Sequence, residues 1–307
     1  METYLSADTS SCRPRDCGIP VTKPSLLKRA RILIKDIAGT RSGFIGLIFM
    51  AVMIAVALFA PIISPFDPNE QDIINRFAGP GLKHFMGTDY LGRDILSRII
   101  HGCRIATMVS FGSVTLSAIM GVIMGVLAGY REGSKFDYFF ILVFDVVISF
   151  PQIILALAIV AVLGPSLFNL ILALAVTSFP FYGRIARAQT LSVKESDFIR
   201  AAEALGLSNQ RIIFRHIIPN IMTPIIVCVG MDMATMIIYE AGLSFLGLGV
   251  KPPTASWGIM LRNGYKYILS SPWMIFWPAL LIAATMVGFA LFSDGLRVAL
   301  NPKERKK

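Results

Sequence analysis

Asp145, Asp232 and Glu240 are acids set within, or at the ends of, long apolar runs. Ionisable groups in such surroundings are costly to keep, and they mark substrate or ion paths, proton relays or buried polar networks. Read as a relay, the three carboxylates would pass protons along the runs. Read as structural or path-lining groups, they would bind polar atoms left without partners. Asp145 precedes Pro151, which removes a backbone donor, clashes one turn back and so bends a helix, freeing polar groups for it to meet. No Lys, Arg or His stands mid-run to pair with the three acids.

The parts needed for other chemistry are missing from the sequence. No Gly-x-x-x-x-Gly-Lys-[Ser/Thr] stretch occurs, so no phosphate-cradling P-loop is predicted. His84, His101 and His216 are isolated, and no His-Glu-x-x-His or double Cys pair offers metal ligands. Cys12 and Cys17 resemble half a metal site, but without a second pair or a nearby His they read as free thiols, as do Cys103 and Cys228. No serine sits in a nucleophile elbow. The chain is therefore expected to be no enzyme and to hold no metal or cofactor.

One polar island interrupts the apolar runs, from Ser192 through Gly206 to Pro219. Ser192 with Glu195 three residues on matches a capping box, so a helix is expected to start there. Phe198, Ala201, Ala202 and Leu205 fall at i, i+3, i+4 and i+7 and share a face. Gly206 is expected to stop the helix through the left-handed conformation. Ser208 then caps a second short helix over residues 209–215. On geometry alone this is either a linker lying on a membrane or a surface for another protein to grip.

The elements that position these residues follow from composition. Of 307 residues, 55% are hydrophobic and 16% charged, against about 25% charged in a typical soluble domain. Long uncharged runs point to a polytopic membrane protein. Six spans are predicted, at about 44–63, 106–129, 136–163, 166–182, 218–239 and 274–292. Pro61, Pro65 and Pro68 should end the first, and Pro151 should bend the long third. Residues 1–43 are polar and basic and lack the plan of a cleavable signal. Leu91, Ile95, Leu96, Ile99, Ile100 and Cys103 recur at helical spacing with Arg93, Asp94 and Arg98 opposite, as in an amphipathic interfacial helix or, nearly as well by periodicity, a plain surface helix of an extramembrane loop. In the second span Ser113, Ser117, Gly121, Gly125 and Gly129 repeat every four residues, a stripe that lets helix backbones pack closely within the chain.

The net charge of +10 could suggest nucleic acid. The basic residues are spread through loops, however, and no nucleic-acid-binding signature accompanies them. With both termini on one side, that side holds about 21 of the 29 Lys and Arg. Positive loops face the cytoplasm, so both termini are predicted to be cytoplasmic. The polar island then lies in the cytoplasm as well.

Ala201-Ala202, three further residues and Gly206, with Pro219 downstream, resembles the EAA loop of ABC-importer membrane subunits. Arg200 stands where the general motif carries its Glu, with Glu203 nearby. Gly87-Thr88-Asp89-Tyr90-Leu91-Gly92-Arg93-Asp94 and the stretch from Glu240 through Ser256-Trp257-Gly258 are similar to signatures of the C-type permease subunit of dipeptide/oligopeptide ABC importers. The resemblance covers about residues 44–300.

The resemblance implies an all-α integral membrane fold: a five-helix type I importer core, one added N-terminal span and a coupling helix between the fourth and fifth spans. It implies a coupling role for Phe198, Arg200, Ala201, Ala202, Glu203, Leu205, Gly206 and Pro219. Asp145 and Pro151 also match residues of this family, which does not use proton coupling. Path-lining or structural roles for Asp145, Pro151, Asp232 and Glu240 therefore stand ahead of a relay. The implied partners are a second, similar permease forming a heterodimer, two cytoplasmic ATP-binding subunits and an external substrate-binding protein, in a bacterial inner membrane. Dipeptides or oligopeptides are the implied cargo; glutathione or a nickel chelate is the alternative, and a proton-driven secondary transporter the distant one. The expected divisions are a tail (1–43), a first span with its external loop (44–105), an importer core (106–296) and a basic end (297–307).

Overall fold

The structure, a computed structural model, describes residues 34–300. Cys12, Cys17 and the basic end at 303–307 lie outside the described residues. After a helical stretch at 34–38, the chain runs through α1 (Arg41–Ile63), α2 (Ile95–Tyr130), α3 (Lys135–Ile148), α4 (Gln152–Leu163) and α5 (Leu167–Lys194). Then come α6 (Asp197–Ala204), α7 (Asn209–Ile212), a π turn (Ile213–Ile217), α8 (Ile218–Phe245), α9 (Trp257–Lys266) and α10 (Trp273–Leu300). Among the described residues the sole β pairing is an isolated bridge, Thr88 to Asp94. Each of α1, α2, α3 and α5 begins at a side-chain oxygen (Thr40, Asp94, Ser134, Ser166) that accepts from the backbone N–H three residues on. Such caps satisfy donors the helix cannot use itself.

Five helical stretches are long and apolar enough to cross a membrane: α1, α2, α5, residues Asn209–Phe245 and α10. The expected third span is a broken pair instead. α3 and α4 meet at 91°, and counting them as one crossing brings the total to six. Pro151 does more than bend this helix. It stands at the N-cap of α4, and proline excludes the helical conformation from the residue before it, here Phe150. The ladder therefore stops at Ser149, whose hydroxyl turns back to donate to Asp145 O at 2.6 Å.

Four boundaries differ from those expected. Pro61 lies inside α1, in its last turn, and does not end it. The amphipathic stretch and the second span are one 36-residue helix, α2, which runs unbroken through the 105–106 division. Ser192 caps nothing, because α5 continues to Lys194 and the break falls at Glu195–Ser196. The second short helix is the opening of α8, joined to it through the π turn. Pro219, in the first turn of α8, supplies the reason. It has no N–H, and its ring needs room beside the preceding turn. The wider turn gives that room, as π bulges do inside α-helices.

The stripe on α2 packs against α5. A Cβ placed at Gly121 would stand 2.4 Å from Phe179 O, at Gly125 2.3 Å from Gly183 O, and at Gly129 2.9 Å from Arg187 O. In lipid, apolar burial no longer drives helices together, and this backbone contact takes its place. α1 uses the same device on α10, where Gly46 meets the Phe292 backbone and Gly43 meets Gly295. At the α6 end of the bundle, α3 is tied to α5 by Asp137, 3% exposed, which takes Arg187 in a fork of 2.7 and 2.8 Å.

Candidate functional site

Three places gather the singled-out residues. The first is the knob formed by α6 and the turns on either side. Asp197–Ala204 is only eight residues long, too short to hold a helix by itself in water. Its position is set from beneath. Ile199 and Ala202 are buried and join Ile212 and Ile217 in the core, with Val193 and Leu207 at its edge. Lys194 Nζ donates to Tyr130 O at 3.1 Å, and Tyr130 Oη donates to Asn209 Oδ1 at 3.0 Å. These bonds tie both roots of the knob to the end of α2.

Gly206, at φ +73°, closes α6: its N–H donates to Glu203 O at 2.9 Å, and that of Leu207 donates to Ala202 O at 3.2 Å. This pair of bonds is the Schellman arrangement, which only a residue at ease in the left-handed region completes without strain. The face read from spacing is split by the structure. Phe198 (48% exposed), Ala201 and Leu205 (80% exposed) point outward with Arg200 and Glu203, whereas Ala202 points into the core. A helix this short buries a narrow strip, and Ile199 and Ala202, three apart, form it. Ile199 was missed by sequence reading, although i and i+3 apolar spacing with Ala202 was there to be seen. Phe214, 72% exposed in the π turn, extends the outward apolar surface. Pro219 is exposed at the start of α8.

The second place is the elbow between α3 and α4. There a cleft of about 650 Å³ is walled by the elbow, α5 and α8 and includes Pro151, Gln152, Thr177, Ser178, Arg184 and Asp232. Asp145 is not without a basic partner: Arg184 Nη2 donates to its Oδ1 at 2.6 Å, with both side chains about half exposed. Sequence reading ended the fourth span at 182 and so placed Arg184 beyond it; α5 in fact carries on to Lys194. Asp232 accepts from Tyr182 Oη at 2.9 Å and forms no ion pair among the described residues. The structure thus gathers Pro151 and Asp232 at one cleft, with Asp145 joined to it through Arg184. Glu240 is elsewhere. It is fully buried inside α8, not at the start of a loop, and accepts from Ser244 Oγ at 2.7 Å.

The third place is the opposite end of the bundle, where residues 64–94 fold over the start of α2. Arg93, Asp94 and Arg98 were expected on a polar outer face, yet all three are buried. Asp89 explains this. Its Oδ1 accepts from the Leu91 and Arg93 N–H groups, its Oδ2 takes Arg93 Nε and Nη2 at 2.7 Å, and Arg98 Nε lies 3.8 Å away. Arg98 also donates to Pro68 O at 2.8 Å. Asp94 caps α2 through Ser97 N–H and Oγ and meets His84 Nδ1 at 3.0 Å. Buried charges persist when paired and hydrogen-bonded in this way.

Thr88 links the same loop by accepting from Ala78 N–H and donating to Asn75 O. Gly87 and Gly92 have φ of +81° and +76°, and a Cβ on Gly92 would overlap Asp72 O. Trp257, buried at the start of α9, donates to Ile99 O at 3.0 Å; Ser256 caps α9, and Gly258 lets α9 approach the Ala241 backbone.

Residues 121–306 match the family described as binding-protein-dependent transport system inner membrane component. Residues 40–80 match the N-terminal TM domain of oligopeptide transport permease C. The dipeptide transport system permease protein of Alkalihalophilus pseudofirmus is 41% identical over 273 residues, 89% of this chain and 90% of that protein. The glutathione transport system permease protein of Escherichia coli is 42% identical over 257 residues, 83% of this chain and 84% of that one. Among solved structures, an inward-facing MetNI methionine ABC transporter superposes with a TM-score of 0.54 at 19% identity, over 66% of this chain and 96% of that one. At that identity the likeness is one of fold.

Proposed function

This chain belongs to the binding-protein-dependent transport system inner membrane component family, and from that premise we propose that it is the permease subunit of an ATP-driven peptide importer. It forms half of the translocation path beside a second, similar permease. Two cytoplasmic ATP-binding subunits supply the energy, and an external binding protein delivers the cargo. The chain itself is not catalytic. It sits in the bacterial inner membrane with both termini in the cytoplasm, and the charge distribution between loops supports that orientation. Small peptides are the cargo; glutathione is itself a peptide and falls within the class.

The observation that carries this reading is the outward face of α6. Phe198 and Leu205 are held out from a helix whose other side is anchored in the core. An exposed apolar surface of this kind marks a contact with a protein or a membrane, and here it is assigned to the ATP-binding subunit. Phe198, Ala201 and Leu205 are the gripped face, Arg200 and Glu203 its polar flanks, and Gly206 and Pro219 fix its geometry. ATP-driven closure of the motor subunits carries α6 with them and opens the spans outward; hydrolysis reverses the motion. The folded 64–94 loop and α9 lie at the outer end, where the binding protein arrives.

Ala201→Glu in the assembled transporter tests the reading, because Ala201 is exposed and Ala202 is not. Uptake should fall at least tenfold while ATP hydrolysis continues and the permease level in the membrane is unchanged. Unaltered uptake would remove α6 as the coupling contact.

A further inference from the structure

The cleft at the α3–α4 elbow carries chemistry that the packing of the helices does not require. Its volume, about 650 Å³, lies within the range of small-ligand sites, about 300–1,000 Å³. Its wall is mostly apolar, with a few polar and charged side chains set into it. Gln152 Nε2 donates to Ser178 Oγ, Thr177 turns its hydroxyl back to Leu174 O, and two opposite charges face the space. Asp232 has one phenolic donor, Tyr182, and no cation among the described residues. Arg184 spends one guanidinium nitrogen on Asp145 and stays half exposed. An unpaired carboxylate at such a depth is retained where it serves a path or a ligand.

We infer that this cleft binds the two ends of a short zwitterionic peptide, with Asp232 taking the protonated α-amine and Arg184 the α-carboxylate. The register of the helices supports the assignment. α5 and α8 rise side by side from the knob, so depth can be counted from Lys194 and Ile218. At 1.5 Å per residue, Arg184 lies about 15 Å and Asp232 about 21 Å from those ends. Tyr182, at about 18 Å on the same count, bonds to Asp232, so α5 and α8 lie beside each other at this level. The Cα positions of Arg184 and Asp232 are therefore offset by about 6 Å along the bundle, and both side chains line the cleft. An extended dipeptide spans at most about 7 Å. Ammonium and carboxylate groups held by charge-assisted bonds give orientation as well as affinity, and Arg suits a carboxylate through its planar fork. Gln152 and Ser178 remain for the peptide group between.

This inference rests on the peptide-importer reading, and the two fail separately. The assembled transporter, in lipid nanodiscs without the binding protein, is titrated with radiolabelled Ala-Phe and with N-acetyl-Ala-Phe. Ala-Phe should bind at least tenfold more tightly. Asp232→Asn should abolish that preference, Asp232→Glu should keep it, and Arg184→Gln should weaken Ala-Phe while sparing its amide. Equal binding of the two probes to the unaltered transporter, or a preference that survives Asp232→Asn, overturns the proposal. Uptake of Ala-Phe by the complete system with its binding protein is measured alongside. Absence of uptake there defeats the importer reading itself, whereas uptake without the amine preference defeats only this site.

Discussion

Replacing Ile199 by Ala tests whether α6 is held in place from beneath. Ile199 is fully buried under an eight-residue helix that does not stand alone. The change removes three carbons, and at about 0.8 kcal/mol per buried CH2 that is about 2.4 kcal/mol before any cavity remains. Large-to-small changes of this type cost roughly 2–5 kcal/mol. Because about 1.4 kcal/mol corresponds to a factor of ten, the amides of residues 197–207 should exchange with solvent roughly fifty-fold faster. Exchange followed by mass spectrometry on the transporter in nanodiscs reads this segment directly. Leu205→Ala is the matched control, since Leu205 is 80% exposed and its loss should change stability by no more than about 0.5 kcal/mol. Both variants should lose uptake per ATP hydrolysed, Ile199→Ala by loosening the helix and Leu205→Ala by removing a contact. Unaltered exchange in Ile199→Ala, or equal acceleration in both, would refute the argument.

Two further outcomes follow from the helix contacts. Arg187→Met strands the buried Asp137 carboxylate and should cost about 3–5 kcal/mol; Arg184→Met leaves Asp145 half exposed and should cost no more than about 1 kcal/mol. Thermal unfolding in detergent should therefore separate the two arginines clearly. Gly125→Val puts a branched side chain where a Cβ already comes within 2.3 Å of Gly183 O. It should destabilise by at least the roughly 1–3 kcal/mol of core overpacking. Gly112→Ala, whose Cβ has Ile171 side-chain carbons as its nearest neighbours, at 3.2 Å and beyond, should be tolerated in the same assay.

The fold was legible where composition alone decides it. Long uncharged runs gave the spans, the small residues of α2 gave its packing partner type, and Gly206 gave a helix end. What escaped was the effect of neighbours. The buried face of α6 depends on what lies beneath Ile199. The polarity of Arg93 and Arg98 reads as an exposed face until Asp89 is known to fold back onto both. Asp145 looked unpaired because a span was ended at the first cluster of charge, although a helix packed on another carries polar side chains further than hydropathy admits. Pro151 was read as the cause of a bend, but its consequence for Phe150, a full right angle, depends on the backbone rule and not on hydrophobic pattern.

The knob hangs from two unequal legs. On one side α5 is a single helix from Leu167 to Lys194, bearing Thr177, Ser178 and Arg184 on the way. On the other, the chain climbs through the wide turn at Ile213–Ile217 before α8 is regular. Under the proposed coupling, a push from below would meet two legs of different make: α5, with Pro180 inside it, and the wide turn that opens α8. The elbow space is lined from both legs, so under that proposal the same stroke would shift its Arg184 wall relative to its Asp232 wall. A passenger spanning both walls would feel the stroke first as a loss of grip at one of its ends.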